Sequence, residues 1–200
     1  MIRLPRYLVL VWLAAIAVSI LWLDQPLALW IESTQTHYSR MLGHWLEEAG
    51  KAHWILGYCV IITVIAWRSR RDEAYNHLRL FGAVAASGII ANIMKLLACR
   101  PRPPLLIEKS ITEWNLLGLQ MEYIWNSFPS GHATTGLAIA VAGSAVYPRL
   151  KHAFWIIGLA IALGRIMLNA HYLSDVLAGS LIGVVVSIWF ASRLRSKPLA

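Results

Sequence analysis

Long apolar runs are the feature that most limits what this 200-residue chain can fold into. A helix needs about 20 apolar residues to cross a bilayer, and six runs approach or reach that length. They cover residues 7–23, 52–67, 78–98, 133–147, 153–168 and 176–192. With 58% hydrophobic residues and a mean hydropathy of +0.57, the chain is too apolar for a soluble domain. The sequence therefore predicts a multi-pass membrane protein.

The runs predict an all-α fold, a bundle of six transmembrane helices that forms one integral membrane domain over residues 1–200. The shorter runs suffice if flanking turns extend them or if the bundle is thin and tilted. Arg3 and Arg6 precede the first run, as in a secretory signal. The sequence after it lacks a small-x-small cleavage site, so an uncleaved signal anchor is predicted.

An amphipathic segment lies between the first two runs. Its apolar stripe has helical spacing and consists of Leu27, Ile31, Thr34, Tyr38, Met41 and Trp45. Such a stripe suits a helix on the outer membrane surface or one that packs against the bundle. The fold prediction includes it as an interfacial helix, and the packing alternative stays open. His37, His44 and His53 have no regular ligand spacing and are interpreted as interfacial polar residues.

The basic residues predict the orientation. With the amino terminus inside, eleven of the eighteen Lys and Arg residues face the cytoplasm, as the positive-inside rule requires. These are Arg3, Arg6, Arg68, Arg70, Arg71, Arg79, Arg149, Lys151, Arg193, Arg195 and Lys197. Both termini are thus expected in the cytoplasm of a bacterium, and the outer loops in the periplasm or outside the cell. Because topology accounts for the net charge of +8, no nucleic-acid partner is expected. The oligomeric state is left open.

Three groups of polar residues fall at the predicted outer ends of the spans. They are Lys95 with Arg102, then Ser130 with Gly131 and His132, and then Arg165 with His171 and Asp175. Each has an ordinary explanation when taken alone. Lys95 could snorkel to the interface, Arg165 could bind helix-end carbonyls or pair with Asp175, and His171 could be a core histidine. Their convergence on one membrane face indicates a functional site instead.

The chemistry that these residues suit is phosphoryl transfer. The cations Lys95, Arg102 and Arg165 match a phosphate that carries roughly two negative charges. If a helix begins after Pro129, Ser130 can cap it, and the free N–H groups of Gly131 and His132 form an anion site. The loop of residues 99–129 is long and proline-rich, as functional loops often are.

A nucleophile and an acid are also available. His171 and Asp175 are four residues apart, hence on one face of a helical turn. The carboxylate can orient one ring nitrogen and leave the other as a nucleophile. His132 is then free to act as general acid. Since no acidic cluster is present to hold magnesium, neither a metal nor another cofactor is expected.

These motifs resemble the three-part signature of the type 2 phosphatidic acid phosphatase superfamily. Lys95 is separated by six residues from Arg102-Pro103, and residues 129–132 read Pro-Ser-Gly-His. Five residues separate Arg165 from His171, and three separate His171 from Asp175. The resemblance implies a phosphohistidine on His171, supported by Asp175, with His132 protonating the leaving oxygen. Lys95, Arg102, Ser130, Gly131 and Arg165 would bind the phosphate. Gly164 stands where the family often has serine.

The resemblance implies a lipid phosphatase of the bacterial inner membrane, whose partners are membrane lipids and a lipid phosphate substrate. Undecaprenyl diphosphate is the first expectation, followed by phosphatidylglycerol phosphate or phosphatidic acid. The alternatives are a lipid A phosphatase and a lipid phosphotransferase that uses the same residues. From another class, a non-catalytic transporter or lipid-binding protein is an alternative, but the first two spans carry no ionisable residue in mid-membrane.

Overall fold

The computed structural model describes residues 4–194, with side chains up to residue 191, and all regular elements in that range are helical. Arg3, Arg195 and Lys197 of the orientation argument lie outside the described residues. The helices are α1 (Arg6–Val18), α2 (Asp24–Thr34), α3 (His37–Ala49), α4 (Ala52–Ala66), α5 (Arg71–Ala98), α6 (Pro103–Lys109), α7 (Gly131–Val146), α8 (Lys151–Met167) and α9 (Leu173–Leu194).

Five helical stretches are long and apolar enough to cross a membrane, and the chain is a multi-pass membrane protein. They are Arg6–Thr34, His37–Ala66, Arg71–Lys109, Pro148–Met167 and Leu173–Ala191. The remaining long apolar helix, α7, has 16 residues and is shorter than each of these five stretches. The predicted all-helical fold is confirmed for the described residues. The count of six spans stays a prediction.

Helix α7 occupies the centre of the bundle, where it contacts α5, α8 and α9. All of its residues from Ala133 to Gly143 are buried. Small residues allow this depth, because helices in a membrane pack through close backbone approach. At the crossing with α8, a Cβ on Gly158 would collide with the backbone carbonyl of Gly136. The central position of α7 places its amino terminus among the ends of the surrounding helices.

The first helical stretch contains a π-turn over Ser19–Leu23, which joins α1 to α2. Asp24 follows this turn directly, and its side chain is buried. A π-turn inserts an extra residue into the helix and so changes which side chains face the protein interior. It therefore delivers a carboxylate at the end of an apolar run to the interior of the bundle.

The amphipathic segment forms two helices, because the helical conformation is interrupted between Thr34 and His37. Thr36 begins α3 with a capping box, in which its side chain accepts from the Ser39 N–H at 3.2 Å and the Ser39 hydroxyl accepts from the Thr36 N–H at 2.9 Å. The predicted stripe is accordingly divided: Ile31 on α2 is buried, whereas Tyr38, Met41 and Trp45 on α3 are exposed. The opposite face of α3 packs against α8.

Candidate active site

A cavity of about 520 Å³ lies at the amino-terminal end of α7. It contains six of the eight predicted site residues, and they come from α5, α7, α8 and the segments beside α6 and α9. The lining consists of Glu47, Asn92, Lys95, Leu96, Arg102, Met121, Tyr123, Asn126, Gly131, His132, Arg165 and His171. The other two predicted residues, Ser130 and Asp175, lie fully buried behind this lining.

Lys95 points into the bundle. Its Nζ donates to the carbonyl of Asn126 at 2.8 Å and lies 3.4 Å from the carbonyl of Ser127. The snorkelling explanation is therefore wrong for this residue. Arg102 is fixed by the same loop, since its Nε donates to the Tyr123 carbonyl at 2.9 Å and its Nη2 to Asn126 at 3.1 Å. The loop before α7 thus orients both cations toward the cavity.

His171 contacts Arg102 at the Nη1 end of the guanidinium group. Arg102 Nη1 donates to the carbonyl of Ala170 at 2.8 Å and lies 3.2 Å from Nε2 of His171. An arginine is only a donor, so Nε2 is the acceptor and carries no proton. Burial and the charge of Arg102 hold the pKa of His171 well below the usual imidazole range, although Asp175 acts in the opposite direction. The ring is consequently neutral at neutral pH.

Asp175 holds the other side of the His171 ring, with its Oδ2 3.5 Å from Nδ1. The expectation that both residues share a helical turn needs correction, because α9 begins at Leu173 and His171 lies in the preceding loop. The carboxylate bridges this junction by accepting from the Tyr172 N–H at 2.9 Å. The hydroxyl of Ser127 donates to the same oxygen at 2.5 Å. Asp175 is therefore fixed independently of the histidine.

The start of α7 follows the predicted pattern. Ser130 is the N-cap residue, and its Oγ accepts from the Ala133 N–H at 3.4 Å. Gly131 and His132 line the cavity, whereas the buried hydroxyl of Ser130 is occupied as a cap. Nε2 of His132 is buried and has no hydrogen-bond partner among the described residues. This nitrogen is thus free to serve a bound group.

Arg165 is almost completely buried and pairs with a residue that the sequence analysis had not selected. Its Nη1 lies 2.6 Å from Oε1 of Glu47 on α3. The alternative explanation for Arg165, a pairing with Asp175, is wrong, since Asp175 binds Arg100 instead. Among the described residues, Nε and Nη1 of Arg165 have no hydrogen bond of good geometry. Glu47 was missed because its helix was assigned to the membrane surface rather than to the site.

A second polar network lies behind His171. Arg100 Nη1 donates to Asp175 at 2.5 Å and its Nη2 to Asp24 at 2.7 Å. Ser174 joins it by donating to Asp24 from both its hydroxyl and, at 3.0 Å, its backbone N–H. Sequence reasoning had omitted Asp24 and Arg100. The available signal was that charges at membrane depth occur in pairs, so two unassigned charges beside apolar runs suggest partners.

We refer to these groups as two layers. The front layer, which lines the cavity, consists of Lys95, Arg102, His132, Arg165 and His171. The rear layer consists of Asp24, Arg100, Ser127, Ser174 and Asp175. Three cations, two imidazoles and a helix amino terminus in the first group can bind an oxyanion and exchange a proton with it.

Relatives of this chain include lipid phosphatases. A lipid A 1-phosphatase of Rhizobium etli is 28% identical over 181 residues, which are 84% of this chain and 76% of the relative. The undecaprenyl-diphosphatase BcrC of Bacillus subtilis is 26% identical over 137 residues, 68% of this chain and 67% of the relative.

Two solved structures share the fold. Aquifex aeolicus LpxE has a TM-score of 0.64 at 22% identity, over 85% of this chain and 95% of its own. A phosphatidylglycerolphosphate phosphatase of PAP2 type from Bacillus subtilis has a TM-score of 0.67 at 16% identity, over 97% of this chain and 98% of its own. The PAP2 superfamily profile matches residues 76–197, which include all eight predicted site residues. The chain belongs to the PAP2 superfamily.

Proposed function

We propose that this protein is a lipid phosphatase that works through a phosphohistidine on Nε2 of His171. The observation that carries the proposal is the state of that nitrogen. It is unprotonated, it belongs to a buried neutral ring, and it lies in a cavity lined by three cations. Asp175, on the Nδ1 side, orients the ring as an activated nucleophile requires.

The reaction proceeds in two steps. Nε2 of His171 attacks the terminal phosphorus, and the bond from phosphorus to the leaving oxygen breaks while His132 gives that oxygen a proton. The leaving oxygen is that of the lipid alcohol or sugar in a monoester and the bridging oxygen of the lipid phosphate in a diphosphate. In the second step water attacks the phosphohistidine and the P–N bond breaks. His132 takes up the proton that the water loses. The free Nε2 of His132 on α7 supports this double role, because a group that donates in the first step must accept in the second.

The phosphate is held by Lys95, Arg102 and Arg165 together with the N–H groups at the start of α7. An incoming oxyanion accepts from Nε of Arg165, which has no hydrogen bond among the described residues, and shares Nη1 with Glu47 or displaces that carboxylate. Ser130 was predicted to bind phosphate directly. Its hydroxyl caps α7, and we propose that it acts by fixing the backbone of Gly131 and His132.

Two substrate classes remain in competition. Undecaprenyl diphosphate, the first expectation from the sequence, has support from the relative BcrC, named an undecaprenyl-diphosphatase. A lipid A phosphate has at least equal support, since the lipid A 1-phosphatases of Rhizobium are matched over a larger share of this chain. The classes differ chemically, because one leaving group is a lipid phosphate and the other an alcohol or sugar oxygen.

We propose that α7 also crosses the membrane, which brings the number of spans to six. We further propose that α3 lies at the outer surface, with Tyr38, Met41 and Trp45 in the lipid interface. The exposed aromatic and apolar side chains of α3 support this position. Both termini then lie in the cytoplasm of an inner membrane and the cavity faces outward. Reporter fusions after Glu113 and after Ala200 should mark opposite compartments. Matching compartments would contradict this orientation.

The direct test of function is phosphate release from purified protein. Lipid monophosphates and diphosphates with matched tails are supplied in detergent, and orthophosphate is measured over time. Release from at least one of them, abolished in His171→Ala, is the expected result. Labelled phosphate that appears on a lipid acceptor instead of in solution would identify a phosphotransferase. No turnover of any lipid phosphate by the wild-type protein would overturn the proposal.

A further inference from the structure

Glu47 carries the only negative charge among the described residues that line the catalytic cavity. The cationic side chains there are those of Lys95, Arg102 and Arg165, so that the lining has a formal charge of +2 when all three are protonated. A phosphate monoester carries a charge of roughly −1.5 to −2 at pH 7. Asp24 and Asp175 do not line this cavity, and Arg100 lies between them.

The carboxylate of Glu47 is held in place from both sides. Its Oε1 lies 2.6 Å from Nη1 of Arg165, and its Oε2 lies 3.2 Å from Nδ1 of His44. Only about a quarter of the side chain is exposed. A charge held at this depth by a buried arginine acts on a ligand much more strongly than a solvated surface charge.

The packing of α3 on α8 places Glu47 at Arg165. Gly164 precedes Arg165, and a Cβ at this position would lie 2.8 Å from Cβ of Leu46. A Cβ on Gly43 would likewise collide with the side chain of Leu168. Close contact of the two helices therefore depends on glycine, and it brings the residue after Leu46 to the guanidinium. The close contact with Leu46 therefore explains why position 164 is occupied by glycine.

Glu47 and Arg165 also form the boundary between two spaces. Both residues line the catalytic cavity and an adjoining recess of about 340 Å³, which is further lined by residues such as Gln35 and Arg40. A phosphate bound to Arg165 must either displace Glu47 or share the guanidinium with it. A second phosphoryl group in the same cavity also interacts with this carboxylate, because Glu47 lines the cavity and unit charges interact appreciably inside a protein.

We propose that Glu47 determines substrate specificity by removing one positive charge from the phosphate clamp, so that the site favours lipid phosphate monoesters over lipid diphosphates. The proposal rests on the lipid phosphatase function above and sharpens it. A monoester dianion balances the charge of the lining, whereas the additional charge of a diphosphate is repelled by the carboxylate. Loss of the carboxylate should consequently help a diphosphate more than a monoester.

The test compares Glu47→Gln with the wild-type protein on a monophosphate and a diphosphate that share one lipid tail. The ratio of kcat/KM for the diphosphate to that for the monophosphate should rise about tenfold, the size of a partly screened interaction between unit charges. Glu48→Gln is the matched control, because Glu48 is exposed on the same helix and pairs with Lys51. It should leave the ratio unchanged. Glu47→Asp, which keeps the charge, should stay near the wild-type ratio.

Inhibition supplies an independent measurement. Pyrophosphate should gain more inhibitory strength than orthophosphate in Glu47→Gln, and Glu47→Ala provides the same comparison if the glutamine variant does not fold. An equal gain for both anions, or an unchanged substrate ratio, would overturn the proposal and leave Glu47 as a plain competitor for Arg165. A parallel loss with both substrates would also overturn it. Failure of the proposed function is distinct, since it appears as inactivity of the wild-type arm.

Discussion

The front and rear layers have similar polar side chains but differ in how completely these are hydrogen-bonded. In the rear layer, Arg100 donates to Asp24, Ser174 and Asp175, and it stacks 4.1 Å from the ring of Tyr172. In the front layer, Nε2 of His132 and Nε of Arg165 are buried without a hydrogen-bond partner among the described residues, although Nη1 of Arg165 forms an ion pair with Glu47. An unsatisfied buried polar group costs about 1–3 kcal/mol. The front layer therefore retains a cost that a bound phosphate removes.

This difference separates two roles that burial alone does not distinguish. Arg102, Arg165 and His171 of the front layer are buried like the side chains of the rear layer, and both layers contain charges at membrane depth. A satisfied network gains nothing from a ligand and serves to hold its members in place. An unsatisfied one gains hydrogen bonds when a ligand enters. Variants of the front layer should thus impair catalysis at little cost in stability, and variants of the rear layer should do the reverse, except at Asp175, which also orients the His171 ring.

The largest effect is expected at His171. His171→Ala removes the nucleophile and should abolish both turnover and any acid-labile phosphoenzyme, whereas the unfolding temperature in detergent should change little. Asp175→Asn should leave a slow enzyme, because Ser127 and the Tyr172 N–H still position the side chain. The measurements are the rate of phosphate release, the amount of phosphoenzyme trapped and the temperature of thermal unfolding. A His171→Ala protein with near wild-type turnover would rule out covalent catalysis by this residue.

The next effect concerns His132 and depends on the leaving group. A diphosphate expels a lipid phosphate, whose second pKa is about 6, so it needs little protonation. A monoester expels an alkoxide, which needs a proton far more. His132→Ala should lower monoester hydrolysis by roughly 10²- to 10⁴-fold and diphosphate hydrolysis distinctly less. Initial rates on substrates with one common tail provide the comparison. Equal losses would show that His132 binds phosphate or positions α7 instead of donating a proton.

How much of this site follows from the sequence depends on the distance over which its contacts form. The residues of the front layer lie in three short motifs, and their chemistry could be read from charge and spacing. Glu47 could not be placed, because its position depends on the close approach of Leu46 and Gly164, which are 118 positions apart in the sequence. The pairing of Asp24 with Ser174 similarly depends on a π-turn that no sequence pattern indicated. Hydropathy identified the apolar helices but not their number across the membrane.

A smaller loss of activity is expected from the rear layer, together with a clear loss of stability. Arg100→Gln leaves two buried carboxylates without their common cation, and breaking a buried ion pair costs about 3–5 kcal/mol. Thermal unfolding in detergent should begin at a distinctly lower temperature, while the folded fraction keeps turnover within roughly tenfold, equivalent to about 1.4 kcal/mol. Adding Asp24→Asn should restore part of the stability. An Arg100→Gln protein with wild-type stability but no turnover would show that Arg100 serves catalysis, as the front-layer residues do, and not stability.

The smallest effect is expected from removal of divalent metal ions, because the site already supplies the charge that a metal would provide. Lys95, Arg102 and Arg165 face the cavity, and the start of α7 adds N–H donors. The carboxylates close enough to act as ligands are engaged: Asp24 and Asp175 by Arg100, and Glu47 by Arg165. EDTA should therefore leave phosphate release within about twofold of the untreated rate, as general electrostatic stabilisation by fixed cations predicts. Loss of activity that magnesium restores would show that a carboxylate leaves its arginine to bind the metal, which would also break the distinction between the two layers.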